Sequence, residues 1–545
     1  MLLAPVSGLG ADGSTGRQIG SSISRCGGIG YPEADSAAEQ VDREIRVGKD
    51  SLTHRVNILL ARSDHLIRQH VKLANQYPLT DDTMQRAVPA PQAESIAHRP
   101  PWPLWLRQIL PRRAGETRHG PCVFSAAALT FRRRKPAGGS FLLLLIVSFA
   151  FVGSCTPLYD KLGGDFAGGP EELAESISAD AEALIAKAFG DVDASRLMDF
   201  HVHILGFGTG GTGAFVNPRM RSWWHPMDYL RSAVYMSAAG ISVEARADSE
   251  YIERLENLIR HAPQGGRYAL MAFDKHYRPD GTVNLERTQF HVPNDYVYRL
   301  AGENPAVFVP MVSVHPYRDD ALQALRKWAE RGVRLVKWLP SAMGIDPSNE
   351  RIDPYYRLMR QFDMVLLTHI GEEQAVDVAG SQQYGNPLLL RRPLEIGVKV
   401  IMAHSGSLGQ NVDIESPGQK RVSSFALFLR MMEEPKYEGL LYGEISGLTQ
   451  YNRFDGPLQT LLERTDLHHR LVNGSDYPLP AVNFIIHTGA LADAGLITDV
   501  EKDALNEIYR YNPLLFDYVV KRTVHHPRSG TRFPPEVFTS PFDLD

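Results

Sequence analysis

Leu197-Met198-Asp199-Phe200-His201-Val202-His203 reads as a β-strand that ends in a His-x-His pair. Side chains alternate across a strand, so Asp199, His201 and His203 are expected on one side. Two neutral imidazoles two residues apart on a rigid strand can share one metal ion. Surface or core histidines give the same local pattern. The pair therefore gains meaning only from partners elsewhere in the chain.

Working outward, apolar strand-like runs alternate with helical stretches for over three hundred residues. The strands are expected at Arg196–His203, Tyr268–Phe273, Val307–Val314, Val333–Trp338, Met364–Thr368, Val398–Ala403, Leu440–Ile445 and Arg470–Gly474. Helices are expected between them at Asp319–Arg331, Tyr355–Gln361, Ser423–Glu434 and Pro457–Glu463, with an amphipathic helix at Glu171–Phe189 before the first strand. Eight buried strands alternating with helices imply an α/β protein with a parallel sheet. Over this length a (β/α)8 TIM barrel is the natural closure. A doubly wound sheet is the alternative, but no Gly-x-Gly-x-x-Gly follows the first strand.

Barrel sites are built at the C-terminal ends of the strands. Polar residues stand at those ends: His201 and His203 on strand one, Lys337 on strand four, His369 on strand five, His404 on strand six and Asp476 after strand eight. Any one of them can be a capped strand end or a core histidine. Five strands ending this way in this order form a pattern.

With these residues the sequence resembles the amidohydrolase superfamily, in its branch of amidohydrolase-related hydrolases and decarboxylases. The matching motifs are Asp199-Phe200-His201-Val202-His203, Thr368-His369, Ala403-His404-Ser405-Gly406 and Gly474-Ser475-Asp476-Tyr477-Pro478. The closing stretch Leu505–Val520, read as a single helix, resembles the family's ending. The resemblance implies that His201, His203 and His369 hold a divalent metal, zinc by donor type. It implies that Asp476 binds the metal weakly or acts as base, and that His404 binds a second metal or orients and polarises the substrate. Lys337 stands where binuclear relatives carry a carbamylated lysine bridging two ions, so one or two ions are open. The alternative for Lys337 is an amine that meets a substrate carboxylate or a neighbouring acid. Three imidazoles leave an open coordination position, and a metal lowers the pKa of water to about 7.

Further candidates around the same mouth are the Gly206–Gly213 loop with Trp223-Trp224-His225 as a lid, Asp274-Lys275-His276, His315 and Arg318 as substrate contacts, and Glu444 at the end of strand seven.

The chain has 545 residues, is 43% hydrophobic and 22% charged, and carries a formal charge of −5. This is a globular composition with material for a core. Met1–Ser140 holds 19 Lys and Arg against 12 Asp and Glu, leaving a net −12 for the remainder. An acidic catalytic part argues against nucleic acid as a partner; the expected partner is a small-molecule substrate. Of the three cysteines, Cys26, Cys122 and Cys155, none lies in the barrel. A metal site there must use His, carboxylate or a modified Lys.

Five segments are expected. Residues 1–131 are Gly-, Ser-, Pro- and Arg-rich and read as mostly disordered, with upstream mistranslation and a true start near 120–131 (Val123 or Leu129) as the working explanation. Residues 132–155 read as a lipoprotein-type signal peptide: Arg132-Arg133-Arg134-Lys135, an apolar run from Phe141, and a lipobox-like Val152-Gly153-Ser154-Cys155. That run is shorter than the ~20 residues of a spanning helix. Residues 156–195 are a linker and helix, 196–522 the barrel, and 523–545 a C-terminal tail. The expected protein is an exported, periplasmic or cell-surface lipoprotein, membrane-anchored through Cys155. Its expected activity is metal-dependent hydrolysis of an ester, lactone or amide. The alternatives are non-oxidative decarboxylation of an aromatic or enoic acid, and a non-catalytic ligand-binding lipoprotein.

Overall fold

The computed structural model describes residues 163–544 apart from 165, 264 and 377–379. The segments 1–131 and 132–155 and the linker up to residue 162 lie outside the described residues.

All eight expected strands form, seven shorter than the expected run and the fifth of equal length but shifted by one residue. They are β1 (Met198–His203), β2 (Arg267–Met271), β3 (Phe308–Val312), β4 (Leu335–Trp338), β5 (Val365–His369), β6 (Lys399–Ala403), β7 (Leu441–Glu444) and β8 (Leu471–Val472). They pair in chain order, every pair parallel. The extension of β8 returns to β1 through backbone bonds from Phe200 N to Asn473 O (3.0 Å), Asp476 N to His201 O (2.7 Å) and His203 N to Tyr477 O (3.1 Å). These bonds nearly close a (β/α)8 barrel.

Two cores follow from strand alternation. Met198, Phe200, Met271, Met311, Leu335, Leu367 and Ile401 pack inside the barrel. Val202, Leu270, Val312, Val336, Leu366 and Val400 face outward against the helices. The tail is part of the fold. Phe542 enters the inner core, its ring edge-on to Phe200 at 5.7 Å and to Tyr442 at 4.8 Å.

Two expected helices are split, each at a capping residue. Glu171–Phe189 becomes Leu173–Ser176 and Ala179–Phe189, because Ser178 leaves the helical region and its hydroxyl accepts from Ala181 N. Leu505–Val520 becomes Asp499–Tyr509 and Pro513–Thr523. Asn512 caps the second helix by accepting from Leu515 N, and Pro513 occupies its first position.

Candidate active site

The strand that opens the sequence reading does not alternate regularly. Between Asp199 and Val202, β1 carries one residue more than β2 opposite it. Such a bulge moves all later side chains to the other face. Phe200 points into the barrel, yet His201 and His203 also reach the cluster at its C-terminal rim, while Val202 points outward. Asp199 is therefore not on the histidine face. Its Oδ1 accepts from His201 N (3.0 Å) and Ser475 N (2.9 Å), tying β1 to the β8 extension.

His201 Nε2 and His203 Nε2 converge on the same oxygen, Asp476 Oδ1, at 3.3 and 3.1 Å. Together these three offer donor atoms close enough to hold one metal ion. Glu444 fixes the first imidazole: its Oε2 lies 3.2 Å from His201 Nδ1. A carboxylate that only accepts makes Nδ1 the protonated nitrogen and leaves Nε2 with a free lone pair. Lys337 Nζ sits 3.0 Å from that lone pair. Burial pulls Lys337 down to about 8.

His404 follows β6 and is turned the same way. Its Nδ1 lies 2.7 Å from Ser446 Oγ, which donates to Glu444 Oε2 at 2.6 Å. The hydroxyl proton goes to the carboxylate, so His404 Nδ1 donates and Nε2 is bare, 3.8 Å from Asp476 Oδ2. Burial holds His404 well below its ordinary value and takes His201, also repelled by Lys337, to about 4. Both rings are neutral at pH 7. Burial would raise Asp476, but His201 and His203 outweigh it and keep the carboxylate ionised.

His369, the last residue of β5, stacks edge-on against His404 at 5.2 Å between ring centres. Its Nε2 is buried without a hydrogen-bond partner and lies 3.4 Å from Glu373 Oε2. This orphaned imidazole nitrogen lies next to His404 and Glu373 and outside the His201–His203–Asp476 donor group; its burial unpaired is otherwise unfavourable, which fits a ligand that turns toward a cation. The backbone is also strained here. His404, Ser405 and Asp476 adopt positive φ (54°, 50° and 60°), held in part by His404 N donating to Glu444 and Asp476 N to His201 O.

All six sequence-predicted residues, His201, His203, Lys337, His369, His404 and Asp476, thus gather at one rim. Glu373 was missed; its signal is weak, an acid four residues past His369 in a loop. Other candidates do not gather. His315 Nε2 is 2.9 Å from Met343 O, and Arg318 pairs with Asp274 and Asp320, so this group is a structural network running from buried His315 to exposed Asp320. Glu444 faces His201, His404 and Ser446 rather than open space. The Gly206–Gly213 loop is pinned by buried Asp248, which accepts from Phe207 N, Gly208 N, Thr209 Oγ1 and Thr212 Oγ1. Trp223 and Trp224 stack at 3.8 Å and remain 61% and 72% exposed.

Fold and site define a class: a parallel α/β barrel with a buried His–Asp cluster of metal-ligand type at its C-terminal rim. The family model described as "Amidohydrolase" matches residues 198–515, more than half of the chain. The protein belongs to the amidohydrolase family. Similar solved structures include an uncharacterized TIM-barrel protein from Bordetella bronchiseptica (15% identity, 58% of this chain and 97% of that one, TM-score 0.36). Others are 5-carboxyvanillate decarboxylase from Sphingomonas paucimobilis (14%, 58% and 99%, TM-score 0.32) and 4-oxalomesaconate hydratase from Rhodopseudomonas palustris (12%, 58% and 96%, TM-score 0.32). A search of curated proteins found no match.

Proposed function

We propose that the protein is a metal-dependent hydrolase of an ester, lactone or amide. The observation that carries this reading is the convergence of His201 Nε2 and His203 Nε2 on one oxygen of Asp476. His201, His203 and His369 would hold a divalent ion, zinc by donor type, with Asp476 beside it. When bound, such an ion polarises a carbonyl and makes water acidic enough to ionise near neutral pH.

The chain's own residues supply the rest. Asp476, kept ionised, takes a proton from the attacking water through its carboxylate. His404 is an acceptor at neutral pH, since its one proton is committed to Ser446; it can orient a substrate donor or hold an ion, but not protonate a carbonyl. Glu444 keeps both histidines in the required tautomer.

Non-oxidative decarboxylation of an aromatic or enoic acid is the second reading. One observation favours keeping it. The other candidate ligand group, His201–His404–Glu444, is closed in on itself, because both Glu444 oxygens already accept hydrogen bonds. That supports one ion, and a second would depend on carbamylated Lys337.

Metal analysis of the purified full chain and turnover of a panel of esters, lactones, amides and aromatic acids test this. About one ion per chain, lost in His201→Ala, with ester, lactone or amide cleavage abolished in Asp476→Asn, is expected. Carbon dioxide release without any hydrolysis selects decarboxylation. No ion, with His201→Ala behaving as the parent, overturns both. Metal lost in Lys337→Met indicates a bridging lysine; metal retained indicates a single ion. The run ending at Cys155 supports export and lipid attachment. Fatty-acid labelling that survives Cys155→Ser would refute it.

A further inference from the structure

The segment that follows β7 carries a cation with no counter-ion. Arg453 is only 9% exposed. Its Nε donates to Gln450 Oε1 (3.1 Å) and its Nη1 to Ser407 Oγ (2.9 Å). Both partners are neutral. Among the described residues no carboxylate lies within ion-pair distance of it, and Nη2 makes no hydrogen bond. Two other deeply buried cations are ion-paired, Lys521 with Asp517 at 2.5 Å and Arg470 with Glu438 at 2.9 Å, while Lys337, 2% exposed, meets His201 Nε2 at 3.0 Å inside the histidine cluster. A guanidinium cannot escape its burial by losing its proton, so an unpaired buried arginine is costly unless something compensates it.

Its position says what that something is. Ser407 lies three residues past His404, so Arg453 is fastened to the turn that carries this histidine. Its charge acts directly on His369 and His404 and is attracted by Asp476 and Glu373. The nearby acids are otherwise engaged: Glu444 by His201, His404 and Ser446, and one oxygen of Glu373 by the amides of Ala375 and Val376. In the same segment Thr449, 1% exposed, has an Oγ1 with no hydrogen-bond partner. Gly447 makes the arrangement possible. It has φ +67°, and a Cβ there would meet the Gln450 amide at 3.0 Å, displacing the side chain that steadies Arg453.

We propose that Arg453 is the receptor for an anionic group of the substrate, a carboxylate carried beside the bond that is cleaved. This deepens the hydrolase reading and rests on it for the identity of that bond. The planar fork, held at Nε and Nη1, presents Nη2 in a fixed direction, which suits an oxyanion. The substrates are then acids with an ester, lactone or amide close to a free carboxylate, and neutral analogues bind poorly. A purely structural arginine would hold Gln450 and Ser407 without distinguishing an acid from its amide.

Calorimetric titration of the metal-loaded full chain with benzoate and with benzamide tests the assignment, together with hydrolysis of 4-carboxyphenyl acetate and phenyl acetate. Arg453→Gln is expected to weaken benzoate at least tenfold and to raise KM for the carboxylated ester by a similar factor. The kcat/KM for phenyl acetate should fall by a smaller factor than that for the carboxylated ester. Benzamide should bind neither protein. If Arg453→Gln does not fold, Arg453→Lys must show an intermediate loss, since it keeps the charge without the fork. Benzoate affinity equal to wild type in either folded variant, or benzamide bound as tightly as benzoate, overturns the proposal. Failure of the wild type to hydrolyse either ester counts against the hydrolase reading, while the benzoate titration still decides on Arg453.

Discussion

Glu444→Gln changes one atom in a fully buried position, and the structure dictates its consequence. The Glu444 oxygens accept from His201 Nδ1 (3.2 Å), His404 N (3.0 Å), Ser446 Oγ (2.6 Å) and Ser446 N. All four partners are donors. A glutamine must turn an NH2 toward at least one backbone N–H, whichever way it flips. One lost charge-assisted bond and one stranded N–H should together cost roughly 2–4 kcal/mol. The alternative is that His201 changes tautomer, which protonates Nε2 and removes the lone pair facing Asp476. Zinc affinity should then fall roughly 10- to 100-fold.

The pH dependence gives an independent check. Burial raises Glu444, but the His201 bond and its neighbours outweigh it and bring the group from 4.5 to about 2. A depressed carboxylate stabilises the fold above its unfolded pKa, and that stability is lost as pH falls through the folded one. Wild type should lose up to roughly 3 kcal/mol between pH 4.5 and 2 from this group. This is an upper bound, because His201 is itself neutral above about 4. The variant should lack that component. Urea unfolding across pH and competition of Zn²⁺ against a chelating dye measure both quantities. A variant within 0.5 kcal/mol and about twofold in zinc affinity of wild type would refute the account of Glu444 as the tautomer-setting residue.

Three other outcomes are expected. Asp248→Ala removes the acceptor for two backbone amides and two hydroxyls of the loop after β1 and should cost roughly 2–4 kcal/mol; limited proteolysis should show new cleavage within 206–213, and an unchanged pattern would contradict the pinning. Phe542→Ala empties part of the inner core and should lower stability by roughly 2 kcal/mol by thermal unfolding, whereas a dispensable tail would show no change. Asn512→Ala removes the cap of Pro513–Thr523 and a bond from Nδ2 to Leu258 O (2.8 Å), at a cost of roughly 2–3 kcal/mol; chemical denaturation yielding under 0.5 kcal/mol would contradict it.

The sequence alone determined what depends on local pattern. Eight apolar runs, five of them closed by a residue of the cluster, specify a parallel barrel and its functional rim, because alternation and strand-end placement are read along the chain. His201, His203, Lys337, His369, His404 and Asp476 were legible for that reason. Only the tertiary structure decided what depends on register and on contacts between distant segments. The bulge in β1 that separates Asp199 from the histidines is set by pairing with β2, which no local period reveals. Glu444 appeared as one more strand-end acid, and only its placement against His201 and His404 shows it fixing two tautomers. Residues 523–545 read only as a C-terminal tail, and the contact of Phe542 with the inner core is a matter of tertiary structure. Arg453 sits in a polar loop with no motif around it. Its lack of a counter-ion is a property of the folded interior, where every charge must be accounted for.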